Sequence, residues 1–290
     1  MATETAPVNN EVALLLKLLH KPGDPIVLTN IYDEASTNAI ISLNGPSSPK
    51  LVKALATTSY GIANTFSVPD ASLTLNQNLA GVQKIAPLAR SAGLPLTVDL
   101  QDGYGEFLDQ SIYRIIYAGA VGANIEDSYP EKGFGDGMSC LRSVEESAER
   151  IRLAIKYAAD VGLRDFVVNA RTDVLRLKPN PEGWSREMMV QEAVKRGKAF
   201  LDAGATCVFV WGGAAGEISR EEVILLVKEF DGRLAVKLAD GKNGLSVEEL
   251  GKLGVCRISV GAGLYCQDMD CLRKKAERIL GGGQLWSEED

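Results

Sequence analysis

The chain has a single histidine, His20, in 290 residues, and five cysteines, no two of which form a Cys-x-x-Cys pair. One imidazole, beside Lys21-Pro22-Gly23, offers no poly-histidine metal site and argues against a histidine-based triad. Acid–base work therefore falls to Asp, Glu, Lys, Tyr or Cys. The odd set Cys140, Cys207, Cys256, Cys266 and Cys271 gives no thiolate zinc pattern and fits a reducing, cytoplasmic setting. Cys207 and Cys256 fall in apolar runs and read as buried thiols. No apolar window approaches the ~18 residues of a membrane span. A net charge of −7 and the lack of any basic run argue against a nucleic-acid surface. Residues 1–10 have neither the basic start nor the apolar centre of a secretory signal. Residues 1–8, and the glycine-rich, acidic stretch 281–290, read as loose tails.

What is present is a regular alternation. The chain is 46% hydrophobic, enough for a large core. Short runs apolar on both faces recur at residues 25–30, 51–58, 94–101, 122–127, 166–172, 206–211, 234–238 and 256–260. Buried parallel strands look like this. Between them lie helical patterns at 35–43, 74–92, 108–118, 143–161, 186–203, 219–230 and from 246, with a first helix at 9–19 and a last at 268–280. Gly93, Gly119, Gly204 and Gly254 repeat one helix-to-strand turn. Eight βα units in one chain point to a single-domain (β/α)8 TIM barrel over residues 1–290. A doubly wound open sheet is the second choice, but its glycine fingerprint is missing after the first run.

Three successive runs end in charge. The third closes on Asp99-Leu100-Gln101-Asp102-Gly103-Tyr104-Gly105, the fourth on Glu126-Asp127 and the fifth on Arg171-Thr172-Asp173. In a barrel these ends share one mouth, and Asp99, Gln101, Glu126, Arg171 and the loop acid Asp70 meet there. Facing carboxylates repel unless protonated or bridged by a cation. An all-oxygen set suits Mg²⁺ or Mn²⁺, and an arginine beside it suits a carboxylate or phosphate. The plainer alternative is a salt-bridge network at the barrel rim.

These motifs, with Ala56-Thr57-Thr58-Ser59-Tyr60-Gly61 and Val68-Pro69-Asp70 upstream and Ala203-Gly204-Ala205 downstream, resemble the isocitrate lyase/phosphoenolpyruvate mutase superfamily. The resemblance spans roughly residues 25–263. It implies a barrel that binds Mg²⁺ and a small 2-oxo or 2-hydroxy carboxylate, and makes or breaks a bond next to a carbonyl through an enolate. It places Asp99, Glu126 and Asp70 at the metal, with Gln101 where the family has a second aspartate. It puts an oxyanion cradle at Thr58, Ser59 and Tyr60, and the substrate grip at Arg171. Lys132 matches by spacing a lysine of the phosphonomutase branch. It also implies a homodimer or homotetramer that exchanges the last helix between subunits.

Three departures shape the expectation. Gln101 removes one negative charge, which predicts a weaker Mg²⁺ site. The loop at 128–142 has no Lys-Cys-Gly-His sequence, so isocitrate lyase chemistry proper is not expected. Lys132 and Tyr104 become the candidates for proton transfer, and Cys140 could swing in as a replacement thiol. The loop's glycines read as a mobile lid. Trp211, at the end of the sixth run, either narrows the substrate pocket or packs the rim. The leading expectation is a Mg²⁺-dependent carbon–carbon lyase. The alternatives are a phosphonomutase or hydrolase on the same scaffold, and a non-catalytic metabolite-binding barrel.

Overall fold

The computed structural model describes residues 8–45, 50–178, 183–212, 218–241 and 244–286. The eight strands are β1 (Ile26–Leu28), β2 (Leu55–Ala56), β3 (Leu96–Asp99), β4 (Gly122–Glu126), β5 (Val167–Thr172), β6 (Cys207–Val210), β7 (Leu234–Lys237) and β8 (Arg257–Ser259). All are parallel, in the order β1-β8-β7-β6-β5-β4-β3-β2. The two ends meet at one bridge. Ile31 N donates to Ala56 O at 2.8 Å and Thr58 N to Ile31 O at 3.0 Å. The sheet is therefore the expected (β/α)8 barrel, closed at its thinnest point by a single residue.

The helices are α1 (Asn10–Leu18), α2 (Glu34–Ile41), α3 (Ser59–Thr65), α4 (Leu75–Ser91), α5 (Leu108–Ala118), α6 (Val144–Asp160), α7 (Arg186–Asp202), α8 (Arg220–Glu229), α9 (Val247–Leu253) and α10 (Gly263–Leu280). Their starts follow from capping side chains. Ser143, Ser185, Ser219 and Ser246 each accept the N–H of the residue three further on. In α4 the face of Leu79, Val82, Ile85, Ala86 and Ala89 is buried against the sheet. None of the described helices is long and apolar enough to cross a membrane.

Four local expectations are corrected. The second strand shrinks to Leu55–Ala56, because Asn44 captures the backbone at Val52 from both sides (2.8 and 2.9 Å) and holds it off the ladder. The expected loop after it contains α3. This turn packs so tightly on the end of β1 that a Cβ on Gly61 would lie 2.6 Å from Tyr32 Cβ. The last helix begins at Gly263 rather than Asp268, since only Gly261 (φ 56°) takes the left-handed turn. The expected tails are partly ordered: Val8 packs against the core, and Arg278 Nε donates to Gln284 O at 2.9 Å. Residues 1–7 and 287–290 lie outside the described residues.

Bridge partners in a parallel ladder point to the same side. That rule sorts the barrel interior into two rows. One runs Asp99, Asn124, Asn169, Cys207. The other runs Glu126, Arg171, Phe209, Ala235, Arg257, Ile26. Helix α10 crosses the mouth, with Cys266, Gln267 and Asp270 over the opening, and has no buried residue of its own among the described residues.

Candidate functional site

A cavity of about 770 Å³ opens at the C-terminal ends of the strands. Asp99 stands at its centre. Its Oδ2 accepts Ser59 N and its Oδ1 accepts Asn124 Nδ2, both at 3.1 Å. The ladder behind it is continuous and directional. Asn169 Nδ2 donates to Asn124 Oδ1 at 2.7 Å, and Cys207 Sγ donates to Asn169 Oδ1 at 2.9 Å. A row of buried amides thus fixes one carboxylate.

Beyond Asp99 the chain leaves the strand through a left-handed run: Gln101 (φ 50°), Gly103 (φ 82°), Tyr104 (φ 61°) and Gly105 (φ 59°). Asp102 builds that turn. It accepts Tyr104 N at 2.9 Å and Gly105 N at 3.1 Å, and is held by Arg142 at 2.7 Å. The strained backbone sends the Gln101 amide inward, where Nε2 donates to Asp70 O (2.7 Å) and Oδ1 (3.1 Å). Gln101 therefore positions Asp70 and favours its ionised form.

On the adjacent strands Glu126 and Arg171 stand in register, 2.8 Å apart (Oε2 to Nη1). Arg171 also forks onto Asp173 through Nε (2.6 Å) and Nη2 (3.1 Å), and the Ser128 hydroxyl donates to Asp173 Oδ2 at 2.7 Å. Burial pushes the Glu126 carboxyl well above its usual range; Arg171 opposes this, and Asp173, Asp99 and Asp70 reinforce it. Asp70 is raised by burial and by Asp99. Burial works against the Arg171 charge, but Asp173 and Glu126 hold its pKa above the ordinary value. Four carboxylates, Asp70, Asp99, Glu126 and Asp173, around one guanidinium leave the cluster acidic.

Trp211 lines the cavity as a platform between two guanidiniums, Arg171 at 3.9 Å and Arg176 at 4.1 Å from the ring. Phe134, from the 128–142 loop, meets its edge at 6.2 Å. Thr58, Ser59 and Tyr60 also line the cavity. Of the backbone groups expected to cradle an oxyanion, Thr58 N closes the barrel and Ser59 N donates to Asp99.

The proton-transfer candidates stand elsewhere. The Tyr104 hydroxyl accepts Asn78 Nδ2 at 2.8 Å and lines a separate groove outside the barrel mouth, its pKa raised by burial. Lys132 is exposed, donates to Ser139 O at 3.0 Å and lies 4.0 Å over the Tyr129 ring. Cys140 is fully buried beneath the loop, its Sγ accepting Asp136 N at 3.3 Å. The structure thus brings Asp70, Asp99, Gln101, Glu126, Arg171 and Trp211 together and leaves Tyr104, Lys132 and Cys140 outside the cavity.

A divalent ion fits this donor set. Among the described residues no three acids form a closed cage, but Mg²⁺ needs only one or two carboxylates and keeps its waters. Asp99 and Asp70 are the oxygens that would hold it, with Glu126 behind. The mutual repulsion that raises Asp70 is what a cation relieves.

Several residues of the site were not picked out as candidates from the sequence. Asp173 appears there only as the end of the fifth run; it lies just past β5, fully buried, and braces Arg171. Arg176 and Phe134 come from loops and carry no periodic signal. Lys237 and Arg257 sit inside apolar runs, where an inward charge becomes visible only once the strand register is known.

Residues 15–280 match the family model described as phosphoenolpyruvate phosphomutase. An uncharacterized protein of Mycobacterium tuberculosis (strain ATCC 25618 / H37Rv) is 28% identical over 268 residues, 92% of this chain and 89% of that protein. An oxaloacetate decarboxylase of Rhodopseudomonas palustris (strain BisB18) is 29% identical over 143 residues, which is 49% of this chain and 44% of that protein. The solved structure of a provisionally named phosphonomutase from Burkholderia cenocepacia J2315 superposes with a TM-score of 0.77 at 30% identity, covering 92% of this chain and all of the other. With its family model matched almost end to end, the chain belongs to the phosphoenolpyruvate mutase/isocitrate lyase superfamily.

Proposed function

We propose that this protein is a Mg²⁺- or Mn²⁺-dependent enzyme that makes or breaks a carbon–carbon bond next to the carbonyl of a small 2-oxo or 2-hydroxy carboxylic acid. The observation that carries the reading is the meeting of Asp70, Asp99, Glu126 and Arg171 in one cavity, lined also by α10 and the 128–142 loop. A bound divalent ion would supply Lewis-acid polarisation of the 2-oxo group. The chain's own part is to hold that ion with Asp99 and Asp70, and to present Arg171, braced by Glu126 and Asp173, to the substrate carboxylate. Trp211 and Phe134 keep the grip dry. Tyr104 and Lys132 do not reach the cavity; the groups lining it that could exchange a proton, apart from the two acids assigned to the ion, include Glu126, Tyr60, Tyr129, Lys237, Asp240 and Cys266.

A phosphonomutase or phosphonate hydrolase is the second reading, favoured by the full-length likeness to the Burkholderia cenocepacia protein. The outward placement of Lys132 counts against it. Release of 2-oxo acid from hydroxy-diacids and oxaloacetate, set against phosphate from phosphonopyruvate, each with Mg²⁺ and with EDTA, separates the two. Asp99→Asn is expected to remove turnover and Mg²⁺-dependent thermal stabilisation together. Wild-type protein that shows neither across the panel supports a non-catalytic barrel instead. Helix α10, long and without a buried residue, supports a homodimer or homotetramer as the working assembly.

A further inference from the structure

Among the described residues, Arg257 is the charged side chain inside the barrel whose hydrogen bonds are left unmade. It is 2% exposed, faces the cavity from β8, and among the described residues its Nε and Nη1 find no hydrogen-bond acceptor. The reason lies in the register. Its row neighbours are Ala235 on β7 and Ile26 on β1, and neither has a polar side chain. One layer nearer the mouth, Lys237 is satisfied by Asp240 (2.6 Å) and by Leu238 O (3.1 Å), so it does not share Arg257's deficit. The groups whose fields reach the guanidinium are the Cys207 and Cys256 thiols and Asp99. A buried guanidinium with unmade hydrogen bonds is costly to keep; its Nε and Nη1 are shut off from solvent, so the edge that lines the cavity is the one an oxyanion can meet.

We propose that the floor of the barrel beneath β7 and β8 is a second anion subsite, in which Arg257 takes the carboxylate or other oxyanion at the far end of the substrate. The assignment to a substrate rests on the reading of the cavity given above; the subsite itself does not. The acid cluster and Arg171 hold the 2-oxo acid end. Arg257 lies across the barrel from them, so a ligand that spans the cavity must carry a second negative group. This makes Arg257 a specificity-determining residue, one that selects two-ended acids over simple ones such as pyruvate.

The test has two arms on the full chain. In EDTA, wild type, Arg257→Met and Arg257→Lys are titrated calorimetrically with inorganic phosphate. The wild type is expected to bind and Arg257→Met to bind roughly 10- to 100-fold more weakly, the range of a charge-assisted hydrogen bond lost. Arg257→Lys should fall between them. No phosphate binding by wild type, or equal binding by wild type and Arg257→Met, overturns the subsite. If Arg257→Met does not fold, Arg257→Lys against wild type decides in the same way. With Mg²⁺, the same proteins are titrated with pyruvate and with 2-oxo diacids of four and five carbons. Arg257→Met should weaken only the diacids. Equal loss for pyruvate and diacids overturns the assignment to the substrate's far end. Failure of the enzymatic reading would look different: no Mg²⁺-dependent binding of either acid by wild type, with the phosphate result standing on its own.

Discussion

Arg171→Met removes the one cation that Glu126 and Asp173 share. Methionine keeps much of the side chain's length and its packing on Trp211, so the change is mainly one of charge. Arg171 makes three ion-pair contacts at 2.6–3.1 Å with two carboxylates that are 9% and 0% exposed. Breaking a buried pair from one side costs about 3–5 kcal/mol, because the remaining charge has lost its partner without regaining water. For a chain of this size that is a fall in Tm on the order of 10 °C. The cost must also depend on pH. Glu126 already sits well above its usual range, and losing Arg171 moves it further up. A carboxyl whose folded pKa exceeds its unfolded value, about 4.3, weakens the fold once ionised and is harmless once protonated. The deficit of Arg171→Met is therefore full above the folded pKa and closes as the pH falls toward 4. Thermal scans of both proteins at pH 7 and pH 4.5, in EDTA, read this directly. Equal stability at pH 7, or a deficit that does not shrink in acid, would refute the account of the cluster.

The same electrostatics make two further expectations. Asp70→Asn should raise Tm by a few degrees at pH 7 in EDTA, since burial and Asp99 both resist the Asp70 charge, while reducing the stabilisation that added Mg²⁺ provides; scans with and without the metal report both. In wild type the Asp70 contribution to stability should fall as pH rises above about 4, and Asp70→Asn should flatten that slope. Gln101→Asp replaces a donor to Asp70 with a third carboxylate, so metal-free stability should drop and Mg²⁺ should bind more tightly. Calorimetric titration checks the second point, and an unchanged Mg²⁺ affinity would defeat the argument from charge.

The barrel was legible because buried parallel strands must be apolar on both faces and must end where the polar groups begin. Asp99, Glu126 and Arg171 each follow such a run directly, and the structure gathers them. Tyr104 and Lys132 follow the same runs within a few residues yet miss the cavity. At Tyr104 the backbone takes φ 61° and turns the ring toward Asn78. At Lys132 a short 3-10 turn, Pro130–Lys132, swings the ammonium onto Ser139 O. Proximity in sequence fails wherever the backbone reverses between a strand and its loop. The same limit hid α3, which has no capping side chain, and β2, whose expected length was lost to Asn44. Arg257 was hidden for the opposite reason. It lies within a run of strand residues, and only the partners Ala235 and Ile26 show that its charge has nothing beside it.

The two rows of the interior explain why the rim and the floor have opposite needs. The Asp99 row is bonded along its length, each amide donating to the next and the last to Asp99 Oδ1. Its orientation is fixed, and the acid at its end is presented to the cavity rather than left to rotate. The Glu126 row is interrupted. It passes from the Glu126–Arg171 pair through Phe209 and Ala235, which offer no hydrogen bond, before reaching Arg257. The apolar break between two guanidiniums leaves no hydrogen-bonded path from the rim acids to the floor cation, which feels only the distant field of Asp99. The protein alone therefore cannot cancel either excess. On the reading proposed here a divalent ion answers the rim and a distal oxyanion answers the floor. A two-ended acid would then enter in one orientation only, because reversing it still offers Arg257 a carboxylate but carries the 2-oxo group away from the acids at the rim.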